Sequence, residues 1–252
     1  MGLSSNELFH FTKFKFLKSI LENKAFYPRY SLEFCHLSNQ FERKAPLAPI
    51  PMVCFCDIPL EMSKEHRLRY KNFGITMTES WKLKNKLNPV TYYQFDSHLA
   101  NVTCEPMNTS NYFNELINDY YKSDKRIHIL ATIAEKLRYQ QYFIKQYENK
   151  EDIYINYAGK VRKFEKRRFY DEREWRYIPF QAEQNEDLFI TIEDFDNETT
   201  LNKANNRMEN YRLSFEFDDI SFLIVETEEE ERELNQLCEE IFSQHIEIRV
   251  MG

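Results

Sequence analysis

Residues 220–250 have the sequence ISFLIVETEEEERELNQLCEEIFSQHIEIRV, and this stretch decides the fold class. The apolar run at residues 220–225 is typical of a buried strand, and a second strand is expected at residues 245–250. Between them, Thr227 is followed three residues later by Glu230, a capping box that predicts the start of a helix. A strand, a helix and a strand in this order favour two parallel strands joined by a right-handed crossover.

Outside this stretch, short apolar runs alternate with amphipathic segments, which is typical of strands and helices around one core. We therefore predict an α+β fold with one mixed sheet and surrounding helices, formed as a single domain by residues 1–252. Residues 181–252 are expected to complete the core that residues 1–180 begin. Further strands are expected at residues 8–11, 52–56, 73–77, 89–95, 172–178 and 213–217, and helices at residues 12–23, at 57–70, from residue 78 onwards and at 109–149.

Two segments are predicted to be less regular. Residues 28–51 contain four prolines and are expected to form a long loop, of the kind that often covers or binds a ligand. Residues 195–209 are polar and rich in asparagine, which predicts a solvated helix or loop.

The composition indicates a folded protein without a general affinity for nucleic acid. A chain of 252 residues typically buries about 70–75% of the surface that its unfolded form exposes. Aromatic residues make up 15% of the chain and apolar residues 42%, which argues against disorder. The formal net charge of -7 disfavours general binding to nucleic acid, although a local basic patch could still bind one.

The cysteine content indicates a reducing compartment. The chain has five cysteines, an odd number without the spacing of a secreted disulfide scaffold, so we expect reduced thiols and a cytoplasmic location. No run of about 18 apolar residues exists, and no membrane-spanning helix is expected.

The most informative polar stretch is YDEREWRY, at residues 170–177. On a strand, Glu172, Glu174 and Arg176 share one face, and the aromatic residues between them face the core. Two carboxylates this close repel each other unless both face water or a ligand, and the arginine partly offsets the repulsion. The commoner interpretation is an exposed charged ladder. The alternative is a carboxylate pair that stabilises an oxocarbenium-like transition state or activates a nucleophile.

Polar side chains also occur where the first strand meets the first helix. His10 and Thr12 could donate and accept hydrogen bonds with ribose hydroxyls. Equally, His10 could be a structural histidine and Thr12 a helix cap. Tyr70 and Phe73 could form a stacking wall for an aromatic ring, or could belong to the core.

Cys54 and Cys56 lie on one face of a predicted strand. A zinc site with His36 or His66 is conceivable, but a second pair of ligands is lacking, and buried free thiols are the favoured interpretation. We therefore expect no metal.

Six of the nine residues at 160–168 are basic, with aromatic residues in and after the run. This mixture suits a polyanion such as RNA, DNA or a dinucleotide pyrophosphate, although a solvated charged segment is the commoner explanation. With only four glycines in the chain, glycine-rich phosphate loops are absent.

Four motifs occur in an order that resembles one known family. They are LFHFT at residues 8–12, VCFCDIPLEMSKEHRLRYKNFGITMTESW at 53–81, NPVTYY at 88–93 and YDEREWRYIP at 170–179. Together they resemble the abortive phage resistance protein AbiGi family over most of residues 7–180. That family in turn resembles the ADP-ribosyltransferase fold, which carries a histidine, an aromatic residue and a glutamate, in that order, on its strands.

The resemblance implies residues that hold NAD. His10 and Thr12 would hold the ribose on the nicotinamide side, and Phe11 stands between them where that element prefers glycine. Tyr70 would stack on nicotinamide, and Phe55 or Phe73 are the alternatives for that role.

The resemblance also implies three catalytic residues, Glu174, Glu172 and His10. Glu174 would orient the ribose 2′-hydroxyl and stabilise the oxocarbenium ion as nicotinamide leaves. Glu172, the second choice for the catalytic residue, would position or deprotonate the acceptor.

Two functions therefore remain as expectations. The first is an antiphage effector that uses NAD as a substrate, either for ADP-ribosyl transfer to a protein or nucleic-acid acceptor or for NAD hydrolysis. The second is an antitoxin without enzymatic activity, which binds a cognate toxin in a two-gene abortive-infection system. A magnesium-dependent nuclease ranks below both, because no convincing set of acidic ligands can be assembled.

Overall fold

The structure is a computed structural model that describes residues 7–34, 47–94, 97–99, 132–133, 136, 139–157, 159–179, 188 and 190–251. Within these ranges strands and helices are mixed along the chain. The strands are β1 (Leu8–Thr12), β2 (Ala25–Phe26), β3 (Arg29–Phe34), β4 (Leu47–Cys56), β5 (Phe73–Met77), β6 (Asn88–Pro89), β7 (Thr91–Tyr93), β8 (Ile144–Gln146), β9 (Glu148–Asn149), β10 (Ile153–Tyr157), β11 (Lys160–Phe164), β12 (Arg167–Arg168), β13 (Glu174–Tyr177), β14 (Leu213–Ser214), β15 (Ile220–Val225) and β16 (Ile248–Val250).

The helices cover or flank the strands. The α-helices are α1 (Phe14–Asn23), α2 (Lys64–Tyr70), α3 (Glu79–Lys84), α4 (Ile192–Asp196), α5 (Glu198–Arg207) and α6 (Glu228–Phe242). Short 3-10 helices occupy Leu60–Met62, Phe169–Glu172, Met208–Tyr211 and Phe217–Asp219.

One eight-stranded sheet organises the molecule. Its order is β16-β15-β5-β1-β4-β13-β6, and β3 pairs with β4 beside this path. The pair β15–β16 is parallel, whereas the other described pairs of this sheet are antiparallel. The predicted α+β fold with a mixed sheet is therefore confirmed.

The predicted β-α-β unit at the end of the chain is also confirmed. Thr227 accepts a hydrogen bond from the backbone N–H of Glu230, and the Glu230 side chain accepts from the Thr227 backbone. Helix α6 then buries Leu234 and Cys238 against the sheet. The capping box sets where helix α6 begins. The apolar face of the helix decides which of its sides packs against the sheet.

The start of the first helix differs from the prediction. Thr12 is the last residue of β1 and pairs with Phe73 of β5, so it does not cap the helix. Helix α1 begins one residue after Lys13, which makes no side-chain cap. The strand continues because Thr12 still has a main-chain partner in β5.

The predicted loop at residues 28–51 is wrong where the structure describes it. Strands β3 and β4 pair from Arg29 opposite Met52 to Phe34 opposite Leu47. Two prolines lie inside β4, at positions 49 and 51. In this half of β4 the described pairing is with β3, on one side of the strand only. Proline, which has no N–H to donate, can therefore be accommodated there. Residues 35–46 lie outside the described part.

Other boundaries also move. The helix predicted at residues 109–149 ends early, because residues 144–149 contain β8 and β9; residues 101–131 lie outside the described part. The strand predicted at 89–95 is divided into β6 and β7, and residue 95 is not described. The strand predicted at 172–178 is limited to β13, and that at 213–217 to β14. Residues 195–209 are largely helical, which is one of the two predicted alternatives.

The sheet has two buried faces of different composition. One face, which we call the core face, carries Leu8, Phe55 and Ile75 and packs against helices α1, α3 and α6. The opposite face, which we call the cavity face, carries a second apolar cluster that includes Phe9 and Phe222. Because successive residues of a strand point to opposite faces, each strand contributes to both. Among the described helices, none has the length and hydropathy to cross a membrane.

Candidate functional site

Strand β13 carries the charged side chains of the cavity face. Glu174 pairs with Cys56 of β4 and Arg176 with Cys54, while Trp175 and Tyr177 alternate onto the core face. The predicted division of this strand into a charged face and an aromatic face is therefore confirmed for residues 174–177.

The charged face is buried, whereas the commoner interpretation of the sequence predicted an exposed charged ladder. Glu172, Glu174 and Arg176 are 6%, 7% and 1% exposed. Glu172 belongs to the 3-10 helix Phe169–Glu172 and not to the strand. A left-handed residue, Arg173 with φ 42, joins the two elements, and both glutamates line the same cavity.

Arg176 is the central cation of this face. Its Nε donates to Glu174 Oε1 at 2.7 Å, and its Nη2 donates to Glu174 Oε2 at 3.1 Å and to Glu33 Oε2 at 2.7 Å. Its Nη1 donates to the backbone carbonyl of Tyr142 at 2.6 Å. The guanidinium thus holds two carboxylates from different strands, because its planar donors can face both at once.

Lys145 and Arg167 complete the charge network. Lys145 Nζ lies 2.9 Å from Glu174 Oε2, 3.6 Å from Glu33 Oε2 and 3.8 Å from Glu172 Oε2. Arg167 pairs with Glu172. Three carboxylates, those of Glu33, Glu172 and Glu174, therefore contact three cations.

Burial and pairing act in opposite directions on these groups. Burial by itself raises the pKa of Glu174, but the charges of Arg176 and Lys145 outweigh it and hold that pKa well below its ordinary value. Burial likewise disfavours the charged form of Lys145, yet Glu174 and Glu33 raise its pKa above the ordinary lysine value. Both residues are ionised at neutral pH, so Lys145 has no neutral amine with which to act as a nucleophile.

A cavity of about 270 Å³ opens beside this network. It lies where β1 and β4 are paired through Phe9 and Cys56. Its lining consists of Phe9, His10, Phe11, Ser31, Glu33, Met52, Cys54, Phe55, Cys56, His66, Tyr70, Lys145, Glu172 and Glu174.

Most of the residues proposed to hold NAD or to act in catalysis line this cavity. Those in the lining are His10, Phe11, Phe55, Tyr70, Glu172 and Glu174. Thr12 and Phe73 are not in the lining, and Phe73 instead packs against the ring of Phe14 with centroids 5.2 Å apart. The structure therefore brings most of these side chains to one cavity and leaves out Thr12 and Phe73.

His10 borders the cavity from the core face. It lies between Leu8 and Thr12 in the strand alternation, and its ring packs 5.2 Å from Phe26 and 5.6 Å from Phe55. Its Nδ1 donates to the carbonyl of Cys54 at 2.8 Å. Burial lowers the pKa of His10, so the ring is neutral and Nε2 is its remaining acceptor.

Helix α2 supplies an aromatic wall. The rings of Tyr70 and His66 lie 4.5 Å apart, and His66 lies 5.6 Å from Phe11. Burial, reinforced by Arg167, lowers the pKa of His66 to about 4, so this ring is neutral near pH 7. The Tyr70 hydroxyl donates to Glu172 Oε1 at 3.3 Å and accepts a hydrogen bond from Arg167.

Two residues of the network were missed from the sequence. Glu33 lies in the segment predicted to be a loop, and Lys145 in the segment predicted to be helical. The alternation of Ser31 and Glu33 along β3, which places both in the lining, was the available signal.

The basic run at residues 160–168 is largely neutralised by acids of the same chain. Lys160 and Arg162 both pair with Asp196, and Lys163 lies 2.8 Å from Asp152. Arg168 lies within 4.0 Å of Glu148. These pairs reduce the positive field that a polyanion would meet, and binding of a polyanion here stays a prediction.

The cysteines of the lining are free thiols. Burial raises the pKa of Cys56 and of Cys54, so both are protonated at neutral pH. Within the described ranges, no three His, Cys, Asp or Glu side chains are grouped as metal ligands would be.

Comparison with known proteins places the chain in a family. The family described as "Putative abortive phage resistance protein AbiGi, antitoxin" matches residues 24–226. The abortive phage resistance protein AbiGi of Lactococcus lactis subsp. cremoris is 26% identical over 223 residues, which cover 81% of this chain and 83% of that protein. No solved structure matches the chain. Since the family match spans well over half of its length, this chain belongs to the AbiGi family of abortive phage resistance proteins.

Proposed function

We propose that this chain acts as the antitoxin of a two-gene abortive-infection system and neutralises a cognate protein by binding it. The observation that carries this proposal is the closed charge network of the cavity face. Each candidate catalytic carboxylate is already paired with a cation of the same chain: Glu174 with Arg176 and Lys145, and Glu172 with Arg167.

This pairing does not suit catalysis. A carboxylate that stabilises an oxocarbenium ion has to direct its charge at the reacting carbon of the sugar. Both oxygens of Glu174 already accept hydrogen bonds. His10, the expected ribose ligand, points to the core face, opposite to Glu174. The description of the family as an antitoxin supports the same conclusion.

Coexpression with the product of the adjacent gene tests the antitoxin proposal. That product alone should slow growth, and this chain should restore growth and copurify with it as a complex of fixed stoichiometry. Restored growth without a complex would contradict neutralisation by binding.

A second candidate is NAD-dependent ADP-ribosyl transfer or NAD hydrolysis on an ADP-ribosyltransferase-like fold. One observation favours it: His10, Phe55 and Glu174 occur, in that order, on the adjacent strands β1, β4 and β13. The aromatic wall of Tyr70 and His66 could stack on nicotinamide, and a cavity of about 270 Å³ suits the nicotinamide end of NAD better than the whole molecule.

In that reaction the glycosidic C–N bond breaks and nicotinamide leaves with the bonding electron pair. Glu174 would stabilise the positive charge on the ribose, and an acceptor or water would then add to the same carbon. For this, Glu174 has to exchange at least one of its ion pairs for the ribose 2′-hydroxyl.

Nicotinamide release by the purified chain distinguishes the two candidates. The enzyme candidate predicts release by the wild type and its loss in Glu174→Gln, with Glu22→Gln, an exposed change on α1, as the matched control. The antitoxin proposal predicts no release from any of the three proteins.

A further inference from the structure

The lining of the cavity includes a cation, the ammonium group of Lys145. Among the described residues of the lining, Lys145 carries the only positive charge, and Glu33, Glu172 and Glu174 surround it at 3.6, 3.8 and 2.9 Å. The other two cations of the network, Arg167 and Arg176, reach these carboxylates from outside the lining.

We propose that this cavity is a receptor for a basic side chain of the partner protein, and that Lys145 occupies the receptor when the partner is absent. The inference rests on the proposed antitoxin function, since it names the chemistry by which the partner is recognised. It commits to one type of occupant, a lysine or arginine side chain at the end of an exposed segment of the partner.

The charge of the lining supports a cationic occupant. Three carboxylates are balanced there by three cations, Lys145 in the lining and Arg167 and Arg176 outside it, while the nearby His66 is neutral near pH 7. When Lys145 withdraws, one negative charge is left without a cation at close range, where water screens it weakly, and a second cation can take the place of the ammonium.

The walls suit the stem of a long basic side chain. Phe11, Phe55, Met52 and Tyr70 line the cavity, and lysine and arginine bury their methylene stems against such surfaces. The ammonium of Lys145 also lies against an aromatic ring, with Nζ 4.9 Å from the centre of the Phe169 ring. A cavity of about 270 Å³ can hold one such side chain and is small for a typical ligand of drug size.

Lys145 is held in a way that permits exchange. It makes one hydrogen bond of normal length within the network, to Glu174, and its other two carboxylate neighbours lie beyond hydrogen-bond distance. Its strand, β8, pairs with β7 in a two-stranded sheet separate from the main sheet. A movement of β8 would therefore leave the hydrogen bonds of the main sheet in place.

Chemical rescue of Lys145→Ala tests the receptor in the purified chain. Removal of the ammonium leaves buried carboxylates undercompensated, and we expect the melting temperature to fall by about 10 °C. Propylammonium, which matches the lost side-chain end, should recover at least half of that fall. Equal concentrations of tetramethylammonium or sodium should not, because neither can donate a hydrogen bond.

The receptor proposal would be overturned if all three cations restored the melting temperature equally. It would also be overturned if Lys145→Ala lowered the melting temperature no more than the exposed control Lys150→Ala does. If Lys145→Ala does not fold, the comparison is made on Lys145→Met, with ammonium in place of propylammonium because only the space of the Nζ group is then vacated. That variant keeps the packing of the stem and lacks the charge.

Binding to the partner tests its use of the receptor. Glu33→Gln removes one carboxylate charge while Glu174 keeps its pairs with Arg176 and Lys145. We expect it to weaken the complex with the adjacent gene product at least about tenfold, while the exposed control Glu22→Gln binds as the wild type does.

The possible failures are distinguishable. A complex that forms equally well with wild type and Glu33→Gln leaves the antitoxin proposal standing and overturns this inference. Absence of any complex with the wild type overturns both. Rescue by propylammonium together with unchanged partner binding would make the cavity a small-amine site, which also contradicts the inference.

Discussion

The two faces of strand β13 are both buried, but different forces hold them. On the core face, Trp175 and Tyr177 pack against the main apolar cluster. On the cavity face, Glu174 and Arg176 are buried with other charged groups and hold each other through hydrogen bonds. Apolar packing depends on shape and volume, whereas the charge network depends on every partner being present. In this protein, a buried face of a strand is therefore not always an apolar one.

The largest expected effect is on the cavity face. Arg176→Met leaves Glu174 and Glu33 buried without their main partner, and should lower the free energy of unfolding by about 3–5 kcal/mol. Urea denaturation monitored by circular dichroism measures the change. The double variant Glu174→Gln with Arg176→Met should lose less than Arg176→Met alone, and a larger loss would contradict the charge-network explanation.

On the core face, Leu223→Ala should cost about 2–4 kcal/mol, because it leaves a cavity in the main cluster. Leu223 is completely buried. This loss should be the same at pH 5 and pH 7, since no titrating group is involved. A strong dependence of the loss on pH would show that the two faces are coupled.

The pH dependence sharpens the contrast further. The pKa of His66 is lowered from 6.5 to about 4 in the folded protein, mainly by burial. Between these values the unfolded state binds more protons, so this histidine's contribution is fully present above pH 6.5 and is lost as the pH falls towards 4.

We therefore expect the free energy of unfolding to fall by about 1–2 kcal/mol from pH 7 to pH 5 in the wild type, and by clearly less in His66→Phe. Denaturation curves at the two pH values measure this. If the free energy of unfolding fell equally from pH 7 to pH 5 in both proteins, His66 would bind a proton as readily in the folded state as in the unfolded state.

The smallest effect is expected at the surface. Lys160 is exposed and pairs with Asp196 at 2.9 Å, and Lys160→Ala should change the free energy of unfolding by about 0–1 kcal/mol. The change should shrink further in 0.5 M salt. A loss comparable to that of Arg176→Met would remove the distinction between surface and buried ion pairs on which the comparison depends.

Several elements followed from local patterns. The capping box at Thr227 and Glu230 fixed the start of helix α6, and the apolar run at Ile220–Val225 fixed the strand before it. The alternation of residues 174–177 correctly divided β13 into a charged face and an aromatic face. These predictions succeeded because the interactions that decide them are within a few residues of one another.

The prediction of a loop at 28–51 failed because the prolines were interpreted as ends of regular structure. The pairing of β3 with β4 is instead set by neighbouring strands of the sheet. Glu33 was missed with that strand. Lys145 was missed because its role depends on Glu33, Glu172 and Glu174. These residues are far from Lys145 in the sequence and belong to other elements.

The sequence by itself determined the α+β class, the terminal β-α-β unit, the resemblance to the AbiGi family and the importance of the stretch around Glu172 and Glu174. Only the tertiary structure decided that these carboxylates are buried and paired. The reason is physical: periodicity fixes which face a side chain points to, but charge compensation depends on groups that the fold brings together from distant strands.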